Sequence, residues 1–289
     1  MKIVLAEHFG ICFGVRDAIA QAEALAAEAP LTILGELAHN PIVRQRLLSA
    51  GTHEGSLDRI ADAKSARVMI TAHGASDKRR DAWTSAGFDV RDGTCPLVRH
   101  AHTQLRLLVK AGYHPVVIGL KTHVEVRGLT EDFPESSVID DSAGVRALPR
   151  RSRYGVISQT TQPIDHVRRL VDEIKRHQPE AEVRFVDTIC KPTKERQSAL
   201  QKLIETAQVI VVVGGKESNN TRQLVLACRA AGRRAIHIER SDELEADQFK
   251  GVDVVGLTGG TSTLPETVEA VLRRLREISS DQKQSANQE

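Results

Sequence analysis

Four cysteines stand at positions 12, 95, 190 and 228, and no two of them form a CxxC pair. Three share a context: Cys12 lies in GICFGVRDAI, Cys95 in DGTCPLVRH and Cys190 in DTICKPTKERQ. Each opens a segment of helical period. Pro96 and Pro192 suit a first helical turn, where a missing N–H is no loss, and Gly10 and Gly14 suit a tight turn around Cys12. The positive end of a helix dipole stabilises a thiolate, the form of sulfur that soft metals take. Structural zinc sites close on four ligands at short local spacings, which these residues lack, so an iron–sulfur cluster on three cysteines fits better and zinc stands as the rival. With three thiolates, one iron stays open to bind substrate as a Lewis acid while the cluster supplies electrons, which points to reductive chemistry. Cys228 differs: in LVLACRAAG, with Leu224 one helical turn earlier, it reads as core.

Polar loops follow each of the three cysteines at a near-constant distance. His39, His123 and Ser218 come 27, 28 and 28 residues after Cys12, Cys95 and Cys190. A second set, His73, Thr160 and Ser262, comes after 61, 65 and 72 residues. With Asn220 these are hydrogen-bond donors, some able to become cationic, and converging donors of this kind suit the oxygens of a diphosphate. In GLKTHVEV, Glu125 is two residues past His123, and an extended segment would project both to one side. A carboxylic acid there could deliver protons, provided its surroundings keep it protonated near neutrality.

These residues need a scaffold that brings them together. Short β-branched runs alternate with helical segments, the pattern of parallel strands buried on both faces. The regular spacing of cysteines and loops divides the chain into three similar small α/β domains, residues 1–94, 95–189 and 190–278, followed by a polar, aperiodic tail at 279–289 that is expected to be disordered. Parallel sheets place ligands beyond the carboxyl ends of their strands, where all these loops fall, so a pseudo-threefold arrangement around a central iron–sulfur cluster is expected. The composition, 40% hydrophobic and 27% charged, is that of a soluble globular protein. A net charge of +2 and only nine aromatic residues argue against a nucleic-acid partner. The opening MKIVLAEHFG is no signal peptide and no 18-residue apolar run occurs, so a cytoplasmic protein without a membrane partner is expected.

The segments GICFGVRDAI, LAHN, TAHG, GTCPLV, THVEV, SQTT, DTIC to RQ, VVVGGKESNN and GGTS together resemble the 4-hydroxy-3-methylbut-2-enyl diphosphate reductase family of isoprenoid synthesis, in order and over nearly the whole chain. The resemblance implies three α/β domains around an oxygen-sensitive [4Fe–4S] cluster ligated by Cys12, Cys95 and Cys190. It implies that His39, His73, His123, Thr160, Ser218, Asn219, Asn220 and Ser262 contact the substrate or its diphosphate, and that Glu125 is the proton donor. It also implies two-electron removal of the allylic hydroxyl to give isopentenyl and dimethylallyl diphosphate, with ferredoxin or flavodoxin as electron source. The chain departs from the family pattern at Leu120, Val124, Lys191 and Asn219, and Leu264 is an apparent insertion after GGTS. These departures leave open a paralogue that reduces another substrate on the same cluster. A cluster-containing diphosphate sensor without turnover is the reading from outside enzymes.

Overall fold

A computed structural model describes residues 1–286. It contains three four-stranded sheets, parallel throughout. The first sheet joins Leu31–Leu34 (β2), Thr52–Gly55 (β3), Arg67–Ile70 (β4) and Asp89–Asp92 (β5) in the order β3-β2-β4-β5. The second joins His114–Ile118 (β6), Ser137–Ile139 (β7), Arg153–Ser158 (β8) and Glu182–Phe185 (β9) as β7-β6-β8-β9. The third joins Lys2–Leu5 (β1), Val209–Val213 (β10), Arg234–Ile238 (β11) and Val254–Gly259 (β12) as β1-β12-β10-β11. Each sheet has one topology: two inner strands, an outer strand beside the first of them, and an outer strand beside the second that runs into a cysteine loop.

The inner strands are short apolar runs because helices cover both of their faces. In the second sheet, Val116, Ile118 and Val156 pack against Val167, Leu170, Val171 and Ile174, a helical stripe on Ile164–His177 (α7). Val117 and Ile157, pointing the other way, pack against Ala101, Leu105 and Leu108 of Pro96–Lys110 (α4). In the third sheet Val209, Val211 and Val213 meet Val268, Val271, Leu275 and Ile278 of Pro265–Ala286 (α10). On its other face Ile210 and Val212 meet Lys191–Thr206 (α8) and Asn219–Ala230 (α9). Each such side chain, once buried, contributes about 1.5–3 kcal/mol. Cys228 lies fully buried in this last layer, and burial pushes its thiol up to about 11.

The structure departs from two sequence expectations. Residues 2–5, placed with the first domain, form the outer strand of the third sheet, with Lys2 opposite Val254 and Leu5 opposite Leu257. The segment after Cys190 supplies only three strands. The open edge of β12 is covered by β1, whose Ile3 and Val4 pack into the two cores of that sheet. Nor is residue 279 the start of a disordered tail. Nothing from Ser279 to Ala286 stops a helix, and α10 runs through it; Ser279 Oγ donates to the Met1 carbonyl at 2.9 Å and Gln282 Nε2 to the Phe249 carbonyl at 3.0 Å. Residues 287–289 of that tail lie outside the described residues.

By contacts the chain forms two compact units. One holds Met1–Phe13, His39–Ile42 and the chain from Lys191 onward; the other holds Gly14–Ala38 and Val43–Cys190. Among the described residues no helix is long and apolar enough to cross a membrane.

Candidate active site

All three cysteine loops are built alike. Past each outer strand the chain keeps adding hydrogen bonds to its inner neighbour, and the cysteine N–H makes the last of them. Cys12 donates to Thr261 O, Cys95 to Ala72 O and Cys190 to Thr160 O, each at 3.0 Å. Each acceptor lies two residues past the end of its strand, β12, β4 or β8. A helix starts directly after each cysteine: Phe13–Glu28 (α1), α4 and α8. The thiols are partly exposed and none is in a disulfide. They are soft donors at helix starts, as a cluster needs.

Gly14 makes room for the Cys95 thiol, since a Cβ there would lie 2.5 Å from the Cys95 Sγ. Glycine is required there by close approach rather than by a turn. The donor set and this clearance fit a cluster. Among the described residues, no group of three or more His, Cys, Asp or Glu side chains is arranged to hold a single metal ion.

The unit that carries Cys95 and Cys190 also carries His73, His123, Glu125 and Thr160. The His73 and His123 rings meet edge to face with centroids 5.5 Å apart. The segment around Glu125 is not extended, as expected above, but helical: Val124–Thr130 (α5). His123 is its N-cap, and Nδ1 accepts the Glu125 N–H at 3.2 Å. A helical turn therefore sends Glu125 inward, where it is only 1% exposed. Its two carboxyl oxygens accept from the backbone N–H and the hydroxyl of Thr160, at 2.7 and 2.9 Å. Burial outweighs those two hydrogen bonds and raises its pKa to about 7. Glu125 is thus an acid that can carry a proton at neutral pH, held by the residue whose carbonyl holds Cys190.

The other unit carries Cys12, His39, Ser218, Asn219, Asn220 and Ser262. Ser218 caps α9, and Asn220 Oδ1 accepts the Thr261 N–H at 3.0 Å. Ser262 Oγ donates to His39 O at 3.4 Å, and Asn40 Nδ2 donates to Ser262 O at 2.7 Å. Ser262 is therefore held beside His39 with Leu264 buried behind it. Gly215 lets His39 approach, since a Cβ there would lie 2.0 Å from the His39 carbonyl oxygen. Asn40 and Thr261, which fix these side chains, went unrecognised as sequence candidates; the motif LAHN contained the signal for Asn40. Of the departures, Asn219 is buried, while the Lys191 side chain is 83% exposed.

A model of the LytB protein family matches residues 3–276. The chain belongs to this family. Among LytB relatives, the 4-hydroxy-3-methylbut-2-enyl diphosphate reductase of Trichlorobacter lovleyi is 34% identical over 280 residues, covering 96% of this chain and 99% of the relative. The reductase of the same name from Aquifex aeolicus is 32% identical over 284 residues, covering 96% and 97%. Among solved structures, the E-1-hydroxy-2-methyl-but-2-enyl-4-diphosphate reductase of Plasmodium falciparum superposes with a TM-score of 0.89 at 26% identity, over 94% of this chain and 87% of that one. A second solved structure, described as (E)-4-hydroxy-3-methyl-but-2-enyl diphosphate reductase, the terminal enzyme of the non-mevalonate pathway, superposes with a TM-score of 0.69 at 32% identity, over 96% of this chain and 100% of that one.

Proposed function

We propose that this protein is an oxidoreductase that reduces 4-hydroxy-3-methylbut-2-enyl diphosphate to isopentenyl and dimethylallyl diphosphate, the last step of the non-mevalonate route, in the cytoplasm, where thiols stay reduced. The allylic C–O bond breaks, a C–H bond forms, and two electrons with two protons release one water. Cys12, Cys95 and Cys190 hold a [4Fe–4S] cluster, which when bound supplies the electrons taken from ferredoxin or flavodoxin and an open coordination position. His39, His73, His123, Thr160, Ser218, Asn219, Asn220 and Ser262 offer donors to the substrate and its diphosphate. Their fixed loops orient the allylic end without cations from Lys or Arg.

The observation that carries this reading, beyond family membership, is Glu125. A carboxylic acid with a pKa of about 7 is matched to proton delivery at neutral pH. Its partner Thr160 is fixed by the same backbone that receives the Cys190 N–H. The proton on Glu125 is therefore held beside the end of the second sheet that presents a cluster ligand.

The test is anaerobic reconstitution, iron and acid-labile sulfide analysis, and assay with reduced mediator and the hydroxylated diphosphate. Turnover with matching iron and sulfide is expected. Zinc without sulfide would overturn the cluster. Fully loaded protein that binds diphosphate and never forms product would overturn the enzyme in favour of a sensor.

A further inference from the structure

Arg196 is a charged residue outside the set above, yet it is only 5% exposed, deep in the first turns of α8. A buried guanidinium is costly unless its planar fork is used, and here the fork joins two backbone carbonyls. One terminal nitrogen, Nη1, donates to Pro192 O at 2.7 Å. The other, Nη2, donates to Gly10 O, 186 residues away in sequence.

The two acceptors are what make this contact informative. Gly10 lies two residues before Cys12, and Pro192 lies two residues after Cys190. Gly10 sits at φ +74, its N–H donating to Gly259 O at 3.1 Å, so Arg196 fixes the carbonyl side of a residue whose backbone conformation only glycine adopts readily. The same loop is tied to α8 once more, at the surface, by Lys202 and Glu7 at 2.6 Å. The loop leading into Cys12 thus rests on the helix that Cys190 opens, and the only one of these two ties that is buried is the guanidinium.

We propose that Arg196 is a positioning residue for the cluster: by clamping Gly10 and Pro192 it sets where the Cys12 loop stands against the start of the Cys190 helix. This rests on the three-cysteine cluster proposed above. A lysine preserves the charge and can reach one carbonyl, but has no fork to hold both.

The test compares anaerobically reconstituted wild type, R196K and R196M by iron release to a chelator, by the electron paramagnetic resonance spectrum of the reduced cluster and by its midpoint potential. Thermal unfolding of the metal-free proteins is measured alongside. Outer-shell partners of metal ligands change affinity about 10- to 100-fold, and iron release from R196M is expected to accelerate in that range, with an altered spectrum and a smaller change in R196K. A merely structural arginine would lower the unfolding midpoint and leave spectrum, potential and release rate as in wild type; that result overturns the proposal. If R196M does not fold, R196K decides: release and spectrum identical to wild type overturn it. A wild type that assembles no cluster overturns the three-cysteine reading itself, and this inference with it.

Discussion

The corner of the second sheet that holds Cys190 and the corner of the third that holds Cys12 share one backbone plan and differ in one functional group. In both, a capping residue, His123 or Ser218, starts the helix after the first inner strand. In both, the second residue of that helix reaches a threonine past the next inner strand: Glu125 reaches Thr160 and Asn220 reaches Thr261. In both, that threonine's carbonyl receives the cysteine N–H. Glu125 accepts two hydrogen bonds and titrates, while Asn220 accepts one and has no proton to give. The same framework therefore supplies a fixed position twice and a mobile proton once.

The largest effect should come from what the corners have in common. Cys12→Ser and Cys190→Ser are each expected to bring iron and sulfide content to background and abolish reduction, equally at the two corners. Cys228→Ser, in contrast, should retain the cluster and lose about 1–3 kcal/mol of stability, because a hydroxyl replaces a thiol in a dry core. Iron analysis beside denaturant unfolding separates the two classes. If Cys12→Ser kept a full complement of iron, the equivalence of the corners would fail.

The next effect comes from exchanging their difference. Glu125→Gln gives the second corner the amide of the third, and kcat is expected to fall about 10²–10⁴-fold with the cluster spectrum intact. Asn220→Asp makes the opposite change and introduces a negative charge among the proposed diphosphate donors. There KM should rise at least about tenfold, as like charges juxtaposed in a site repel. Steady-state kinetics under reduced mediator would show both. Equal losses of kcat in the two variants would mean that the carboxyl proton is not what distinguishes the corners.

The cysteine plan and the buried strands are legible in the sequence, since Pro115–Ile118 of β6 and all of β10 are apolar runs and the cysteine-to-loop spacing is nearly constant along the chain. Less legible are the outer strands β3 (THEG), β5 (DVRD), β7 (SVI) and β9 (EVRF), which are short and, apart from β7, carry charged residues such as Glu54, Arg91 and Glu182 on an exposed side. Sequence proximity assigns β1 to the first domain, although its pairing is settled by which sheet lacks an edge. The two-residue spacing of His123 and Glu125 in GLKTHVEV suits an extended segment, whereas the His123 cap turns Val124–Thr130 into helix. For Glu125 the residue type was legible but the burial that raises its pKa was not, because it comes from packing with residues distant in sequence; Thr160, 35 residues away, is one such neighbour, and its hydrogen bonds oppose the rise.

A smaller effect follows from linkage. The Glu125 pKa is raised from 4.5 to about 7 in the folded chain, so folding favours its protonated form. The sign is that of a raised group: its contribution is fully present below about pH 4.5 and lost as pH rises to 7, by about 3 kcal/mol. Chemical denaturation of metal-free wild type against Glu125→Gln should show this difference in pH dependence across that window, and the Asn220 corner should add nothing to it. Activity limited by the same proton should decline as pH rises through about 7. Parallel stability curves for the two proteins would mean that Glu125 does not titrate there.

The smallest effect is expected where the two cysteine loops differ most visibly in sequence, at the residue after the cysteine: Phe13 after Cys12 and Lys191 after Cys190. The Lys191 ammonium stands 3.5 Å from Glu195 one turn along α8, with 83% of its side chain exposed. A lysine at the start of a helix opposes the dipole, and a solvated pair of this kind contributes roughly 0–1 kcal/mol, so the two nearly cancel. Lys191→Ala should therefore leave the unfolding midpoint, kcat and KM almost unchanged. A tenfold shift in KM would instead place this side chain against the substrate, and the departure at Lys191 would then mark a pocket shaped for a different diphosphate.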